Sequence, residues 1–98
     1  MKVIERSFSD IFVGLEQSFY VNIDNKKLAQ FLDLSGDINP LHTNKGYARS
    51  KGFEGVVVNG LLTSSFYATL VGSCIVGSNC LIQSINVKYV KMYELLHF

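Results

Sequence analysis

The sequence lacks the basic clusters, zinc spacings and disulfide patterns that mark several functional classes. Its formal net charge is +1, and its 9 Lys and Arg residues are scattered along the chain. Nucleic-acid binding requires a basic stripe, so we predict no DNA or RNA partner. The two cysteines, Cys74 and Cys80, fit neither a CxxC pair nor a zinc site, and we interpret them as buried thiols in a reducing compartment. We therefore expect no metal.

An apolar leader and a membrane segment are also missing. The first ten residues carry charge at Glu5 and Arg6 and contain no apolar region of the kind that a secretory signal has. No Asp, Glu, Lys or Arg lies between Gly55 and Val87, a stretch long enough to span a bilayer. Polar residues and glycines interrupt that stretch, however, and divide it into a helical part and a strand-like part. We predict a cytoplasmic protein without a membrane span, and a helix that other parts of the protein surround.

The composition fits a single globular domain. Hydrophobic residues make up 48% of the chain and charged residues 17%, which supplies an ample core. A domain of 98 residues buries only roughly 60 to 65% of its unfolded surface, so burial against a partner chain is expected to add stability. No repeat, low-complexity tract or linker indicates a second domain.

Local patterns in the first half of the chain predict one strand and one helix. The aromatic and β-branched residues from Glu16 to Ile23 indicate a strand. Asp24 can then cap a helix from Asn25 to Leu34, which Gly36 ends. Leu28, Phe31 and Leu32 share one face of that helix, so we expect them to form its buried stripe.

The second half of the chain carries further signals of both kinds. Asn44 can cap a short helix that Gly52 closes, and Val56 to Val58 is a brief extended segment. The uncharged helix then runs from Leu61 to about Gly72. Residues Cys80 to Tyr93 alternate over much of their length, which predicts a long strand.

The loop between the first two helices holds the residues that can carry chemistry. Asp37 and His42 lie five residues apart across a segment stiffened by Pro40, so both can reach one small ligand. A carboxylate can accept a hydrogen bond from water, and an imidazole can take or give a proton near neutral pH. Together they could add water to a double bond. The alternative is that Asp37 only ends the helix and His42 is an ordinary packed histidine, and these two residues alone favour that alternative.

A longer run, from Phe31 to Gly72, resembles the MaoC-like dehydratase family and in particular its R-specific enoyl-CoA hydratases. The resemblance rests on several separate motifs: the SGDxNPLH core at Ser35 to His42, Tyr47-Ala48, Gly52-Phe53 and Val58-Asn59-Gly60. It implies an α+β hot-dog fold, in which an antiparallel β-sheet wraps a long central helix, here the helix that starts at Leu61.

The resemblance also implies a hydro-lyase that acts on a trans-2-enoyl thioester. Asp37 and His42 are then the catalytic dyad, which binds the water that attacks the β-carbon and supplies the proton at the α-carbon, giving an (R)-3-hydroxyacyl thioester. The backbone N–H of Gly60 would stabilise the thioester oxygen as charge develops on it. The alternative is that Gly60 only begins the helix. The implied reaction uses no metal and no redox cofactor, and its substrate is carried on coenzyme A or acyl carrier protein.

Two asparagines are candidates for substrate binding. Asn39 can either fix the loop through side-chain to backbone hydrogen bonds or contact the substrate, and the first interpretation is favoured. Asn59 stands where hydratases of this family commonly have a His before the Gly, and we expect it to shape the mouth of the site.

The C-terminal part departs from the family pattern. Members usually continue beyond the strand placed here at Cys80 to Tyr93, and the tail Met92 to Phe98 lacks their Pro and their Gly-Asp turn. We therefore expect one MaoC-like domain without its C-terminal strands, and a homodimer or higher homo-oligomer that compensates for them. Two alternatives remain: a non-catalytic hot-dog subunit, which has no need of an intact dyad, and an acyl thioesterase, which normally uses an acidic residue near the central helix.

Overall fold

The computed structural model describes residues 2–95 and divides into two compact units. The first unit comprises Met1–Val21 with Ser64–Val87, and the second comprises Asn22–Thr63 with Lys88–Phe98. Each unit therefore combines an early and a late stretch of the chain. Residues 96–98, the end of the tail that departs from the family pattern, lie outside the described residues.

Helix α1 spans Asn25–Ser35 and has a signal at each end. The Asp24 carboxylate accepts a hydrogen bond from the Lys27 N–H at 2.9 Å, which satisfies one of the donors that a helix start leaves unpaired. Gly36 ends the helix with φ +75°, a left-handed conformation that glycine adopts without a Cβ penalty. Leu28 is fully buried, and the predicted helix is confirmed within one residue at its end.

Helix α2 and a short sheet complete the frame of the second unit. Helix α2 spans Lys45–Ser50, and the Asn44 side chain caps it by accepting from the Tyr47 N–H at 2.9 Å, as predicted. Strand β1, Val56–Val57, pairs antiparallel with strand β2, Glu94–Leu95. The buried apolar residues of this unit come from α1, α2 and β1 and from other segments of the unit: Ile23, Leu28, Ala48, Val56, Val57, Val58 and Leu62.

A helical stretch follows Asn59. Helix α3, Gly60–Ser65, is succeeded by the short helix α4, Tyr67–Thr69, and by a π-helical segment, Leu70–Ile75. The region is helical as predicted, but a turn at Phe66 and the π-helical segment interrupt the single helix that was expected. The helical stretch also continues beyond Gly72, because a single glycine costs a helix only about 1 kcal/mol. Leu62 is the buried residue of this stretch within the described chain, and its other residues are half-buried or exposed. The expectation that protein surrounds the helix is therefore wrong for residues 2–95.

The first unit is held by backbone contacts around Ile4. The Ile4 N–H donates to the Ser73 carbonyl at 3.0 Å, and the Ser78 N–H donates to the Ile4 carbonyl at 3.2 Å. Gly77 has φ +94°, and a Cβ placed there would overlap the Ile4 carbonyl oxygen. A glycine is therefore required at position 77 by both its conformation and the space around it.

Two predicted strands are not formed. Residues 16–23 and 80–93 make no sheet ladder in the part of the chain that the structure describes, where β1 and β2 are the two strands of a single small sheet. Alternation gives a segment one apolar face, but a strand also needs a neighbour with which to exchange backbone hydrogen bonds. The α+β class is confirmed, whereas a sheet wrapped around the helix is not found among residues 2–95.

The described residues bear on the predictions about a membrane span and about the two cysteines. None of the helices within residues 2–95 combines the length and the apolar character that crossing a membrane requires. Cys74 and Cys80 form no disulfide, and both are half-buried rather than buried.

Candidate active site

The loop from Asp37 to Thr43 is ordered by two turns in which a side chain replaces a backbone acceptor. Asp37 Oδ1 accepts from the Asn39 N–H at 2.9 Å, and Asn39 Oδ1 accepts from the Leu41 N–H at 3.0 Å. The His42 N–H then donates to the Asn39 carbonyl at 3.0 Å. These short-range bonds fix the path of the loop, as Asx turns do in general.

Strand β1 holds the far end of this loop. The Val57 N–H donates to the Leu41 carbonyl at 2.8 Å, and His42 Nδ1 lies 2.5 Å from the Val57 carbonyl oxygen. A carbonyl oxygen can only accept, so Nδ1 carries the proton in this contact. In the neutral ring, Nε2 is then the nitrogen with a free lone pair.

The lone pair of His42 faces the carboxylate of Asp37. His42 Nε2 and Asp37 Oδ2 are 3.6 Å apart, which is longer than a direct hydrogen bond. A water placed roughly 2.8 Å from both atoms would bridge them, donating to the carboxylate while its other hydrogen faces the ring nitrogen. The side chains are 12% and 28% exposed for His42 and Asp37, so the pair is shielded but still reachable.

The start of helix α3 meets Asp37 through Asn59. Asn59 Nδ2 donates to Asp37 Oδ2 at 2.7 Å, and Asn59 Oδ1 accepts from the Leu61 N–H at 2.8 Å. Asn59 is therefore the N-terminal cap of α3 as well as a partner of the carboxylate. Gly60 follows as the first residue of the helix, where backbone N–H groups lack intrahelical acceptors.

A cavity of about 320 Å³ opens beside His42 and the first turn of α3. That volume lies within the range of small-ligand sites. Its lining includes His42 and Gly60, together with residues from β1, from α3 and from the segment before β2: Val57, Val58, Asn59, Leu61, Thr63, Tyr89, Lys91, Met92 and Tyr93. A lining that combines apolar side chains with a few polar groups is typical of small-molecule sites.

The Tyr89 ring packs directly against Gly60. A Cβ at Gly60 would lie 2.8 Å from Tyr89 Cε1 and 2.9 Å from Cδ1. Any side chain at position 60 would therefore push the ring away, and glycine lets the ring close against the backbone.

Comparison with known proteins decides the family. The MaoC-like domain model matches residues 13–93, which is most of the chain. The protein belongs to the MaoC-like domain family. No solved structure shows significant similarity to this chain.

Three curated proteins illustrate what this MaoC-like chain is similar to. An (R)-specific enoyl-CoA hydratase of Rhodospirillum rubrum is 28% identical over 82 residues, covering 84% of this chain and 57% of the relative. An (R)-specific enoyl-CoA hydratase of Aeromonas caviae is 34% identical over 71 residues, covering 72% and 53%. A 3-hydroxybutyryl-CoA dehydratase of Methylorubrum extorquens is 27% identical over 70 residues, covering 71% and 45%. The chain thus spans about half the length of these relatives.

The structure of this MaoC-like chain brings four of the five residues singled out in the sequence into one place. Asp37, His42 and Asn59 are linked by the contacts above, and Gly60 lines the same cavity as His42 and Asn59. Asn39 is exposed, and its side chain is used within the loop. The part that each residue plays toward a substrate stays a prediction.

No pattern in the sequence indicates that the segment before β2 lines the cavity. Tyr89, Lys91 and Tyr93 line the cavity, whereas the alternation of Cys80 to Tyr93 predicts only a strand. The link from Asn59 to Asp37 was also not foreseen, because the two residues are 22 positions apart in the sequence.

Proposed function

We propose that this chain carries the catalytic site of a hydro-lyase that reversibly adds water to a trans-2-enoyl thioester, giving the (R)-3-hydroxyacyl thioester. The observation that carries the proposal is the arrangement of Asp37 and His42. One ring nitrogen is tied to a backbone carbonyl, and the other faces a carboxylate across 3.6 Å. Names of the relatives, which are hydratases and a dehydratase of acyl-CoA substrates, support the same reaction.

In the hydration direction, the bound water loses a proton to His42 Nε2 while its oxygen forms a bond to the β-carbon of the enoyl group. Asp37 Oδ2 accepts the other hydrogen of the water and orients its lone pair toward that carbon. Electrons of the double bond move toward the thioester carbonyl, whose oxygen becomes negative. The proton held by His42 then passes to the α-carbon on the same face, so addition is syn and the site returns to its starting state.

The developing oxyanion needs a donor, and the Gly60 N–H is our candidate. Gly60 begins α3 and lines the cavity together with His42, so a thioester oxygen near its N–H would place the β-carbon toward the dyad. Removing one such donor typically costs about 10²- to 10³-fold in rate. The apolar wall of Val57, Val58 and Leu61 would then contact the acyl chain.

We also propose that the chain contributes to a hot-dog fold and works as a homodimer or higher homo-oligomer. The antiparallel pairing of β1 with β2 supports this proposal, because a hot-dog sheet is antiparallel. Large apolar side chains remain exposed in the second unit, among them Val90 at 83% and Met92 at 62%, and burial against a second copy would stabilise them. Light scattering coupled to size exclusion measures this directly, and a monomer at micromolar concentration would contradict it.

The reaction is tested with purified chain and crotonyl-CoA. Absorbance of the conjugated thioester should fall, no free thiol should appear, and the product after hydrolysis should be the (R)-3-hydroxy acid by chiral chromatography. Thiol release without hydration would instead identify a thioesterase. An inert but folded chain would identify a non-catalytic subunit, and either result overturns the proposal.

A further inference from the structure

Asn59 is bonded at both ends of its side-chain amide. Its Nδ2 donates to Asp37 Oδ2 at 2.7 Å, and its Oδ1 accepts from the Leu61 N–H at 2.8 Å. The Asn59 backbone carbonyl also accepts from the Leu62 N–H at 3.0 Å. An amide that caps a helix with its oxygen can present only its nitrogen in the other direction, so its orientation is set by α3.

The carboxylate of Asp37 accepts one hydrogen bond from a residue nearby in the sequence and one from a residue far away in the sequence. Within the loop, Oδ1 is held by the Asn39 N–H, which leaves the carboxylate free to rotate about the bond to that group. The second anchor is on Oδ2, the oxygen that lies 3.6 Å from His42 Nε2. Two anchors on two oxygens fix the plane of a carboxylate, and Oδ2 keeps a further lone pair for a water.

We infer that Asn59 is a positioning residue that holds the Asp37 carboxylate facing His42 and joins that carboxylate to the first turn of α3. The catalytic part of this inference rests on the proposed function. The hydrogen bond from Asn59 to Asp37 does not depend on that function. On this inference, Asn59 affects the reaction by holding Asp37 and not by contacting the substrate. Because Asn59 precedes Gly60, the same residue sets the distance between the water site and the candidate oxyanion donor.

The first arm of the test asks whether the contact holds in solution. The side-chain NH₂ resonances of Asn59 are followed in a two-dimensional ¹⁵N spectrum of the full chain, in wild type, in Asp37→Ala and in the matched control Asp33→Ala. Asp33 lies on α1 and is exposed. We expect the Asn59 resonances to move and exchange faster with water in Asp37→Ala alone. Equal spectra for the two variants would show that Asn59 does not hold Asp37.

The second arm separates the donor from the helix cap. Asp is as good a cap as Asn, so Asn59→Asp keeps an acceptor for the Leu61 N–H but replaces the donor to Asp37 with a second carboxylate. We expect kcat for crotonyl-CoA to fall about 10²-fold with KM changed less than threefold, since a misplaced catalytic group costs about that much.

Each outcome of the second arm is decisive. A merely structural role predicts wild-type turnover in Asn59→Asp and loss only in Asn59→Ala, together with a lower urea midpoint, and that pattern overturns the inference. A wild-type chain with no hydration overturns the proposed function, whereas the resonances of Asn59 still decide whether it holds Asp37. The urea transition of Asn59→Asp shows whether the variant is folded, and its midpoint should lie below that of wild type because the two neighbouring carboxylates repel each other.

Discussion

Residues 80–93 are richer in apolar side chains than residues 24–63, yet they form less regular structure. In the first region, α1 begins at the Asp24 cap and ends at Gly36, and α2 begins at the Asn44 cap. In the second region, alternation predicts a strand that the structure does not form. The difference is one of range, because a cap is satisfied within four residues whereas a strand requires a partner from elsewhere.

The catalytic candidates fall in the region with local signals, and that is why their positions could be predicted. Asp37 and His42 sit on a loop between two capped helices, so the order of these elements already brings the two side chains near each other. Segment 80–93 contributes Tyr89, Lys91 and Met92 to the cavity without being a strand. Its role depends on packing that no short pattern encodes.

The largest expected effect is on turnover in the first region. Asp37→Asn and His42→Ala should each lower kcat for crotonyl-CoA by about 10²- to 10⁴-fold, because each removes one half of the water site. Steady-state absorbance assays measure this loss. Circular dichroism and urea midpoints close to wild type would show that the fold is intact, and near-wild-type turnover in either variant would falsify the assigned roles.

A matched control keeps that loss specific. Asp33→Asn makes the same chemical change on the exposed face of α1, four residues before Asp37. We expect it to leave kcat and KM within about twofold of wild type, since surface substitutions of this kind change little. A large loss in Asp33→Asn would mean that charge near the site, rather than the dyad itself, governs turnover.

The next largest effect compares two leucines, one from each region. Leu28 on α1 is fully buried, whereas Leu81 is 86% exposed. Leu28→Ala should lower the free energy of unfolding by about 2 to 5 kcal/mol, because it leaves a cavity in a packed core. Leu81→Ala should change it by less than about 0.5 kcal/mol. Urea denaturation of both variants measures the difference.

Leu34 sharpens the same comparison within a single helix. It lies on α1, as Leu28 does, but is 86% exposed. Leu34→Ala should therefore be nearly neutral, since both residues are good helix formers. If Leu81→Ala proved as costly as Leu28→Ala, residues 80–93 would be packed in solution and the contrast between the regions would fail.

A smaller effect on the free energy of unfolding is expected in the first unit, where Gly77 is required by its surroundings and Gly72 is not. Gly77→Ala would meet the Ile4 carbonyl and a φ of +94°, and should cost about 1 to 3 kcal/mol. Gly72 lies in the π-helical segment with no atom near its missing Cβ, so Gly72→Ala should be neutral or stabilise by up to about 1 kcal/mol. Amide hydrogen exchange of Ile4 and Ser78 reports on this unit directly, and equal protection in both variants would contradict the requirement for glycine at position 77.

The sequence therefore predicts some features of the fold and of the site but not others, and the reason is physical. Caps, the ends of α1 and the positions of Asp37 and His42 follow from neighbours a few residues away. The bond from Asn59 to Asp37 and the packing of Tyr89 on Gly60 join residues 22 and 29 positions apart, and each depends on where whole elements lie. The family resemblance indicated that Asn59 and Gly60 mattered, but their contacts became visible only in three dimensions.

The smallest expected effect concerns the cap that begins the first region. The Lys27 N–H, by donating to the exposed Asp24 carboxylate, lowers the pKa of Asp24 below its ordinary value. A lowered folded-state pKa means that the ionised cap stabilises the fold above the unfolded pKa, about 3.9, and that this contribution is lost as pH falls through the folded-state pKa. Asp24→Asn caps without titrating, so its urea midpoint should fall less steeply than that of wild type below about pH 4 at low salt. Parallel curves for the two proteins would show that the first helix does not depend on the charge of its cap, and that its boundary is set by the packing of Leu28 instead.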